Sequence, residues 1–155
     1  MTSQILNTQG LTHTAWLRFL RAHAAVTRQL SARLENAHGL TLSDFDVLVQ
    51  LFHAEGHRLR RVDLARQVLL TASGITRLLD GLERAGWVKK DRCASDARVT
   101  YAVLTEAGLA KIAAARATHE ADIEELFGSQ FSAQEKAALD ELLSRLPLAE
   151  TACQA

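Results

Sequence analysis

One short stretch of the chain places hydroxyl, carboxylate and guanidinium side chains on one face of a predicted helix. At helical spacing, these polar residues are Ser73, Thr76, Arg77, Asp80 and Arg84. The apolar residues on the opposite, inward face are Ile75, Leu78, Leu79 and Leu82. Short hydroxyls and long guanidiniums are suited to base edges and phosphates in a DNA major groove. The pattern therefore predicts a helix that presents a DNA-contacting surface.

A charged hairpin is predicted directly after this helix. Thr71 should cap the helix, and Gly86 should end it in a left-handed conformation. The ranges 88–91 and 99–104 have the β-branched, roughly alternating character of two strands. The basic residues of this segment that we expect at DNA are Lys89, Lys90, Arg92 and Arg98. A helix followed by a charged hairpin is typical of a winged helix-turn-helix.

The composition is that of an ordinary globular protein. The chain has 155 residues, of which 48% are apolar and 23% charged, and it contains no apolar run of 18 residues that could span a bilayer. The N-terminus has no basic segment followed by an apolar one, so we expect no secretory signal and a cytoplasmic location. No membrane partner is predicted.

The net charge is zero, but the charges are distributed unevenly. Between residues 58 and 98, ten Arg or Lys oppose five Asp or Glu, whereas residues 105–155 carry nine acidic and four basic residues. A basic middle favours a nucleic-acid partner more than the overall sum suggests. Charges that merely coat a solvated surface would explain the same numbers equally well.

Two helices are predicted at the start of the chain. After a frayed segment over residues 1–10, an amphipathic pattern runs over 11–38 and stops at Gly39. Ser43 and Asp46 stand at capping-box spacing and should open a second helix that ends near Gly56.

A short third helix over 61–68 leads through a tight turn into the DNA-contacting helix. Its candidate buried positions are Val62, Leu64, Ala65 and Val68. A short helix, a turn and a longer helix match the helix-turn-helix arrangement, in which the second helix enters the groove.

Several motifs in this order resemble the multiple-antibiotic-resistance regulator (MarR) family of bacterial transcription factors. They are DFDVL, VDLARQV, TRLLDGLERAGWV, the pair Asp96 and Arg98, and LTEAG at 104–108. The resemblance implies a homodimer in which the fourth helix reads the major groove. It also implies that Arg98 reaches the minor groove or its phosphates and that Asp96 braces Arg98. The segment RCASDA lacks the Pro and Asn often found at this tip in the family.

The C-terminal part should supply two further helices. Thr105 is predicted to cap a helix over 106–127, and Ser132 with Glu135 should form the capping box of a helix that ends near residue 146. The apolar stripes of these helices and of the first helix have no obvious partner inside a small winged-helix domain. We therefore predict one domain over 1–155, with a winged helix-turn-helix over 41–104 and dimerisation helices over 11–38 and 106–146. A monomer that packs the stripes on itself is the alternative.

Three residues could line a ligand cleft. Trp16, Asp46 and His13 fall in the two helices that border the cleft in the resembling family, many of whose members bind anionic aromatic compounds there. A small-molecule effector of that kind is therefore expected. A core tryptophan and a capping aspartate would explain two of these residues equally well.

Other chemistry receives little support. His53 and His57 are four residues apart, but Gly56 lies between them and no carboxylate cluster follows, so ordinary surface histidines are favoured over a metal site. Cys93 lies among basic residues that would favour its thiolate, but chance placement is favoured over an oxidation switch. The sequence has no phosphate loop or nucleophile elbow, so neither an enzyme nor a cofactor is predicted.

The sequence as a whole predicts a mainly α winged helix-turn-helix protein with a small β-hairpin wing. Its expected function is that of a homodimeric regulator, a repressor released from a pseudo-palindromic operator by a small ligand. Two alternatives stay open, a winged-helix protein-interaction module and a constitutive, weakly specific DNA-binding protein.

Overall fold

A computed structural model describes residues 2–68, 72–92 and 98–146, with side chains described for 10–68, 74–92 and 98–146. In chain order the helices and strands are α1 (Thr2–His38), α2 (Leu42–His53), β1 (Arg58–Arg60), α3 (Arg61–Gln67), α4 (Ala72–Arg84), β2 (Val88–Arg92), β3 (Thr100–Leu104), α5 (Glu106–Leu126) and α6 (Ala133–Ser144). Single 3-10 turns lie at Glu55–His57 and Gly128–Gln130. The predicted fold class, mainly α with a β-hairpin wing, is confirmed.

The first helix is longer than predicted. We expected residues 1–10 to be frayed, but α1 begins at Thr2 and runs without interruption to His38. Gly10 is the only helix breaker in that segment, and one glycine lowers helix stability by about 1 kcal/mol without ending a helix. Gly39, with φ of 64°, ends α1 as predicted, and its amide donates to the carbonyl oxygen of Glu35 at 2.8 Å.

The cap of α2 differs from the prediction. The capping box is formed by Thr41 and Asp44, so the assignment of Ser43 and Asp46 was wrong. The Thr41 hydroxyl accepts from the Asp44 amide at 3.1 Å, and the Asp44 carboxylate accepts from the Thr41 amide at 2.9 Å. The segment TLSDFD contains the same spacing twice, two residues apart, so spacing alone did not distinguish the two starts.

The core lies where α2, α4, α5 and the sheet meet. Its most deeply buried residues include Leu48 and Leu51 of α2, Leu79 of α4 and Ile112 of α5. The inward face of α4 is confirmed, because Ile75, Leu79 and Leu82 are buried and Leu78 is partly buried.

The short helix α3 confirms its predicted position but not all of its predicted core. Leu64 is fully buried, and Ala65 and Val68 pack against the core. Val62 was predicted to be buried, yet it is 60% exposed. At 100° per residue Val62 lies almost opposite Leu64, so a helix of seven residues cannot bury both.

The sheet has one strand more than predicted. Its order is β1-β3-β2 with both pairs antiparallel, and Val88 lies opposite Leu104 while Leu59 lies opposite Ala102. The predicted strands are confirmed as β2 and β3. The third strand, β1, has only three residues and was missed because two of them are arginines, which give no apolar alternation.

The winged helix-turn-helix part of the chain, residues 41–104, forms a lobe. The helices α1 and α5 form a stalk beside this lobe. Arg33 of α1 donates to Asp122 at 2.7 Å and to Glu125 at 2.8 Å, both on α5, and His38 contacts the Thr118 hydroxyl at 2.8 Å. Further toward the N-terminus, α1 leaves large apolar side chains exposed. None of the described helices is long and apolar enough to cross a membrane.

One junction joins α4, the wing and α5. The Thr105 hydroxyl donates to the Gly86 carbonyl oxygen at 2.6 Å and accepts from the Gly108 amide at 3.0 Å, which confirms Thr105 as the cap of α5. The Thr105 amide donates to the Trp87 carbonyl oxygen at 3.1 Å. Gly86 has φ of 76°, as predicted for the end of α4. The motifs around Gly86 and Thr105 are therefore two halves of one contact.

Replacing Gly108 by alanine should destabilise the protein strongly. A Cβ atom at Gly108 would lie 2.0 Å from the backbone oxygen of Trp87, which no rotamer change can relieve. We expect the Gly108→Ala change to lower the free energy of unfolding by about 2 kcal/mol or more, as overpacking does. Equilibrium urea denaturation at fixed protein concentration measures this loss.

The matched control is Gly81→Ala in α4. No atom lies within 4 Å of a Cβ placed at Gly81, and alanine is the better helix former, so this change should raise the free energy of unfolding by about 0.5–1 kcal/mol. If Gly108→Ala were as well tolerated as Gly81→Ala, the junction would not constrain the fold.

Candidate nucleic-acid interface

The outward face of α4 carries most of the polar residues predicted to contact DNA. Because Ile75, Leu79 and Leu82 point inward, the opposite face is turned to solvent, and Arg77 and Arg84 on it are exposed. Arg77 belongs to none of the ion pairs among the residues that the structure describes. Ser73 lies in the first turn of α4, but its side chain is outside the described residues.

Two residues on this face are held by neighbouring groups. The Thr76 hydroxyl accepts from the Arg61 guanidinium of α3 at 2.9 Å, which ties the two helices of the helix-turn-helix together. Arg84 donates through Nε to the carbonyl oxygen of Asp80 at 3.2 Å, within the same helix. The predicted cap Thr71 lies outside the described residues.

The wing consists of β2 and β3. Only Val88 of β2 is buried, whereas Lys89, Lys90, Asp91 and Arg92 are exposed. Arg98 follows the tip and is exposed as well. The tip itself, residues 93–97, lies outside the described residues, so Asp96 as a brace for Arg98 remains a prediction, and Cys93 lies there too.

Acidic side chains of α4 bind Lys90 of the wing. Its ammonium lies 2.6 Å from Asp80 Oδ1 and 2.8 Å from Glu83 Oε2. Hydrogen bonds to these two carboxylates raise the pKa of Lys90, and the bond from Lys90 in turn lowers the pKa of Asp80. The charge of Lys90 is thus paired with carboxylates of the same protein chain.

A basic recess of about 350 Å³ lies between the start of α3 and the beginning of β3, at the tip end of the wing. Its lining consists of Arg60, Arg61, Val62, Arg98, Val99 and Thr100. Arg60 is paired with Asp63 at 2.6 Å, and hydrogen bonding to that carboxylate raises the pKa of Arg60. Three guanidiniums around one recess are suited to a phosphate. Arg60 and Arg61 were not among the predicted DNA contacts, although both contribute to the basic middle of the chain.

The three residues predicted to bind a ligand do not meet within one chain. Trp16 is 55% exposed on α1, and His13 is exposed one turn earlier. At 1.5 Å per residue, Trp16 lies about 27 Å along the helix axis from Leu34, where α1 joins the core. Asp46 is half-buried on α2, where burial raises its pKa while a hydrogen bond from Gln50 lowers it. A common cleft would need residues from two protomers.

His57, one of the two histidines considered as metal ligands, makes structural contacts with Phe52. The Nδ1 atom of His57 donates to the Phe52 carbonyl oxygen at 2.9 Å, and its ring stacks on the Phe52 ring. Within the described ranges there is no cluster of three or more residues that could hold a metal ion.

Known proteins resemble this chain in both sequence and fold. The MarR family model matches residues 40–100. A helix-turn-helix transcriptional regulator of Bacillus cereus is 30% identical over 131 residues, which is 84% of this chain and 85% of the relative.

Two solved structures from Streptomyces coelicolor carry the same fold. AbsC, described as a MarR family transcriptional regulator, is 31% identical with a TM-score of 0.78, and the match covers 84% of this chain and 88% of AbsC. Sco3205, a MarR family regulator solved in complex with DNA, is 23% identical with a TM-score of 0.79 over 85% and 82% of the two chains. The sequence relatives, the shared fold and the basic face of α4 and the wing together show that the chain belongs to the MarR family of DNA-binding transcriptional regulators, which are not enzymes.

Proposed function

We propose that the protein is a homodimeric, cytoplasmic repressor that binds a pseudo-palindromic operator and leaves it when a small ligand, an anionic aromatic compound, binds. The observation that carries the proposal is the outward face of α4, a helix of 13 residues on which exposed arginines stand opposite the apolar face that packs against the core. Such a helix is about 20 Å long and fits a major groove about 12 Å wide.

The residues divide into two kinds of contact. Arg77, exposed near the middle of α4, is assigned to a base edge, because a guanidinium can donate two hydrogen bonds to guanine. Ser73, Thr76 and Arg84 belong to the same contact. Lys89, Arg92 and Arg98 on the wing are assigned to phosphates or the minor groove, where charge provides affinity rather than sequence preference.

Replacing Arg77 should damage specificity more than affinity for arbitrary DNA. We expect Arg77→Ala to cost about 1–3 kcal/mol on the preferred operator and to relax the preference at one position in each half-site. Titration of a duplex selected from a random pool, together with its single-base variants, measures both effects.

The control is Lys89→Ala. It should weaken all sequences alike and lower the slope of log K against log salt by about 0.9 for each phosphate that is no longer neutralised. If Arg77→Ala left the ranking of the operator variants unchanged, the result would support a protein that binds DNA with weak specificity. A wild-type protein that bound no DNA would support the protein-interaction module instead.

The stalk supports the homodimer. An open apolar recess of about 600 Å³ between α1 and the α5–α6 end is lined mainly by Phe19, Val26, Phe127, Phe131 and Leu143. Leu142 of α6, at 55% exposure, and Ile123 of α5, at 38%, extend the apolar surface. Soluble monomers rarely expose a contiguous apolar face of this kind, and a second copy related by a two-fold axis would cover it.

A charge in this recess should separate the protomers. Phe19→Asp would bury an unpaired carboxylate at the interface, and we expect dimerisation to weaken by about 3 kcal/mol, roughly 100-fold in the dissociation constant. Sedimentation equilibrium over a range of concentrations measures this change. The control is Val62→Asp, also at an exposed apolar residue but in the lobe, which should leave the dimer intact. Equal dimerisation of the two variants would contradict the assignment of the interface.

A ligand that releases DNA must prefer the dimer in which the two α4 helices are wrongly spaced. The operator fixes the separation of its half-sites at about 34–36 Å or a multiple of it, so a small pivot of each lobe weakens both contacts. We place the ligand between His13 and Trp16 of one protomer and Asp46 of the other. The exposed Trp16 ring, whose centroid is 6.2 Å from that of Phe19, supplies a stacking surface.

Trp16→Phe should remove most of the ligand-dependent fluorescence change. Small aromatic acids are expected to quench tryptophan emission and to weaken operator binding by roughly 5- to 150-fold, the range of typical couplings. Trp87, the only other tryptophan, contributes a constant background emission. The Lys111 ammonium lies over its ring, 4.7 Å from the centroid, so a ligand cannot stack on that face. If millimolar aromatic acids change neither the emission nor the operator affinity, the aromatic pocket is wrong.

A further inference from the structure

The ion bridge between Lys90 and α4 connects the two parts of the DNA-contacting surface. Lys90 lies on the same face of β2 as the buried Val88, because side chains alternate along a strand, and this face is turned toward α4. Asp80 and Glu83, three residues apart on α4, both reach its ammonium. Lys89, one residue earlier in β2, lies on the opposite face of the strand.

The charge balance of the bridge argues against a phosphate contact for Lys90. Two carboxylates surround one ammonium, so the group as a whole carries a negative charge. If Lys90 turned to a phosphate, Asp80 and Glu83 would lose their bonds from the ammonium on the surface that faces the DNA, and Asp80 would keep only the charges of Arg84 and Arg61 beside it. A phosphate beside them would then be repelled, so the bonded position of Lys90 is the favourable one in the complex as well.

We infer that Lys90 is a positioning residue that fixes the wing relative to α4 and thereby contributes to operator preference, rather than a residue that contacts DNA. This inference differs from the assignment of Lys90 to DNA made from the sequence, and it rests on the proposed function. A DNA site fixes where the groove and the backbone lie relative to each other, so the helix and the wing must reach them together. Holding that geometry favours the operator over other sequences.

The test uses variants that change the net charge in opposite directions. Lys90→Met keeps an apolar stem and removes the ammonium, whereas the double variant Asp80→Asn with Glu83→Gln removes both carboxylates and keeps Lys90. If only charge mattered, the first would weaken and the second would strengthen binding to every duplex, and the ratio of affinities would stay constant. If Lys90 positions the wing, both variants lower the ratio of operator to mixed-sequence affinity, by about tenfold.

The measurements are titrations of the full-length protein with two duplexes of equal length at several salt concentrations. One duplex is the tightest-binding sequence selected from a random pool by the wild-type protein, and the other is of mixed sequence. Lys90→Arg should restore the ratio, because its guanidinium can still bond to both carboxylates. Lys89→Met, on the opposite face of β2, is the matched control and should lower the salt slope with no change in the ratio. Thermal melting establishes that each variant is folded.

The outcomes are distinct. A lower ratio in both Lys90→Met and the double variant supports the positioning role, and the double variant still decides if Lys90→Met does not fold. If Lys90→Met instead lowers the salt slope by about 0.9 for one phosphate, as Lys89→Met does, and leaves the ratio unchanged, Lys90 contacts phosphate and the inference is wrong. If the wild-type protein shows no preference for the selected duplex, the proposed function fails first, and the inference fails with it.

Discussion

The backbone oxygen of Trp87 lies so close to Gly108 that no side chain fits between α5 and the end of α4. Thr105 completes the contact with bonds to the Gly86 carbonyl, the Trp87 carbonyl and the Gly108 amide. Since α4, β2 and α5 all pass through this point, their mutual angles are fixed by backbone atoms rather than by adaptable side chains. The position of the outward face of α4 relative to the stalk depends on this contact.

Charged side chains play two different parts in the described residues. On the outward face of α4, Arg77 has no counter-ion among the described residues. On the stalk, Arg33 is held by Asp122 and Glu125, and hydrogen bonds to these carboxylates raise the pKa of Arg33. Arg33 and Lys90 each connect two elements of this protein, whereas Arg77 forms no ion pair with any described residue.

Local patterns predicted most of the fold. The apolar periodicity of α4, the left-handed glycines at 39 and 86, and the Thr105 and Ser132 caps are each encoded within a few neighbouring residues, and the structure confirms them. The strand β1 was missed because it exists only through pairing with β3, more than forty residues away. The start of α2 was misplaced because two equal capping patterns overlap, and Val62 because a seven-residue helix gives too short a pattern.

The site was predicted less completely than the fold. Periodicity gives the face on which Arg77 lies, and the structure agrees that this face is exposed. It says nothing about which charges meet across elements. Neither the bond from Arg61 to Thr76 nor the bridge from Lys90 to Asp80 and Glu83 has a signature in the sequence, because each joins residues of different helices or strands that lie seven or more positions apart. A ligand cleft of the kind proposed, shared by two protomers, would be harder still to predict from one chain.

The 21 residues of α5 make a rod about 30 Å long that starts at the Trp87 junction and carries the partners of Arg33 near its other end. In a lever of that length, a tilt of about 5° at the stalk moves the far end by about 2.6 Å, close to the 3.4 Å spacing of stacked bases. A rigid helix amplifies a small tilt into a larger displacement in this way without a chain of coupled side chains between its two ends. A slight change in how the stalk helices sit would be enough to put α4 out of step with the groove.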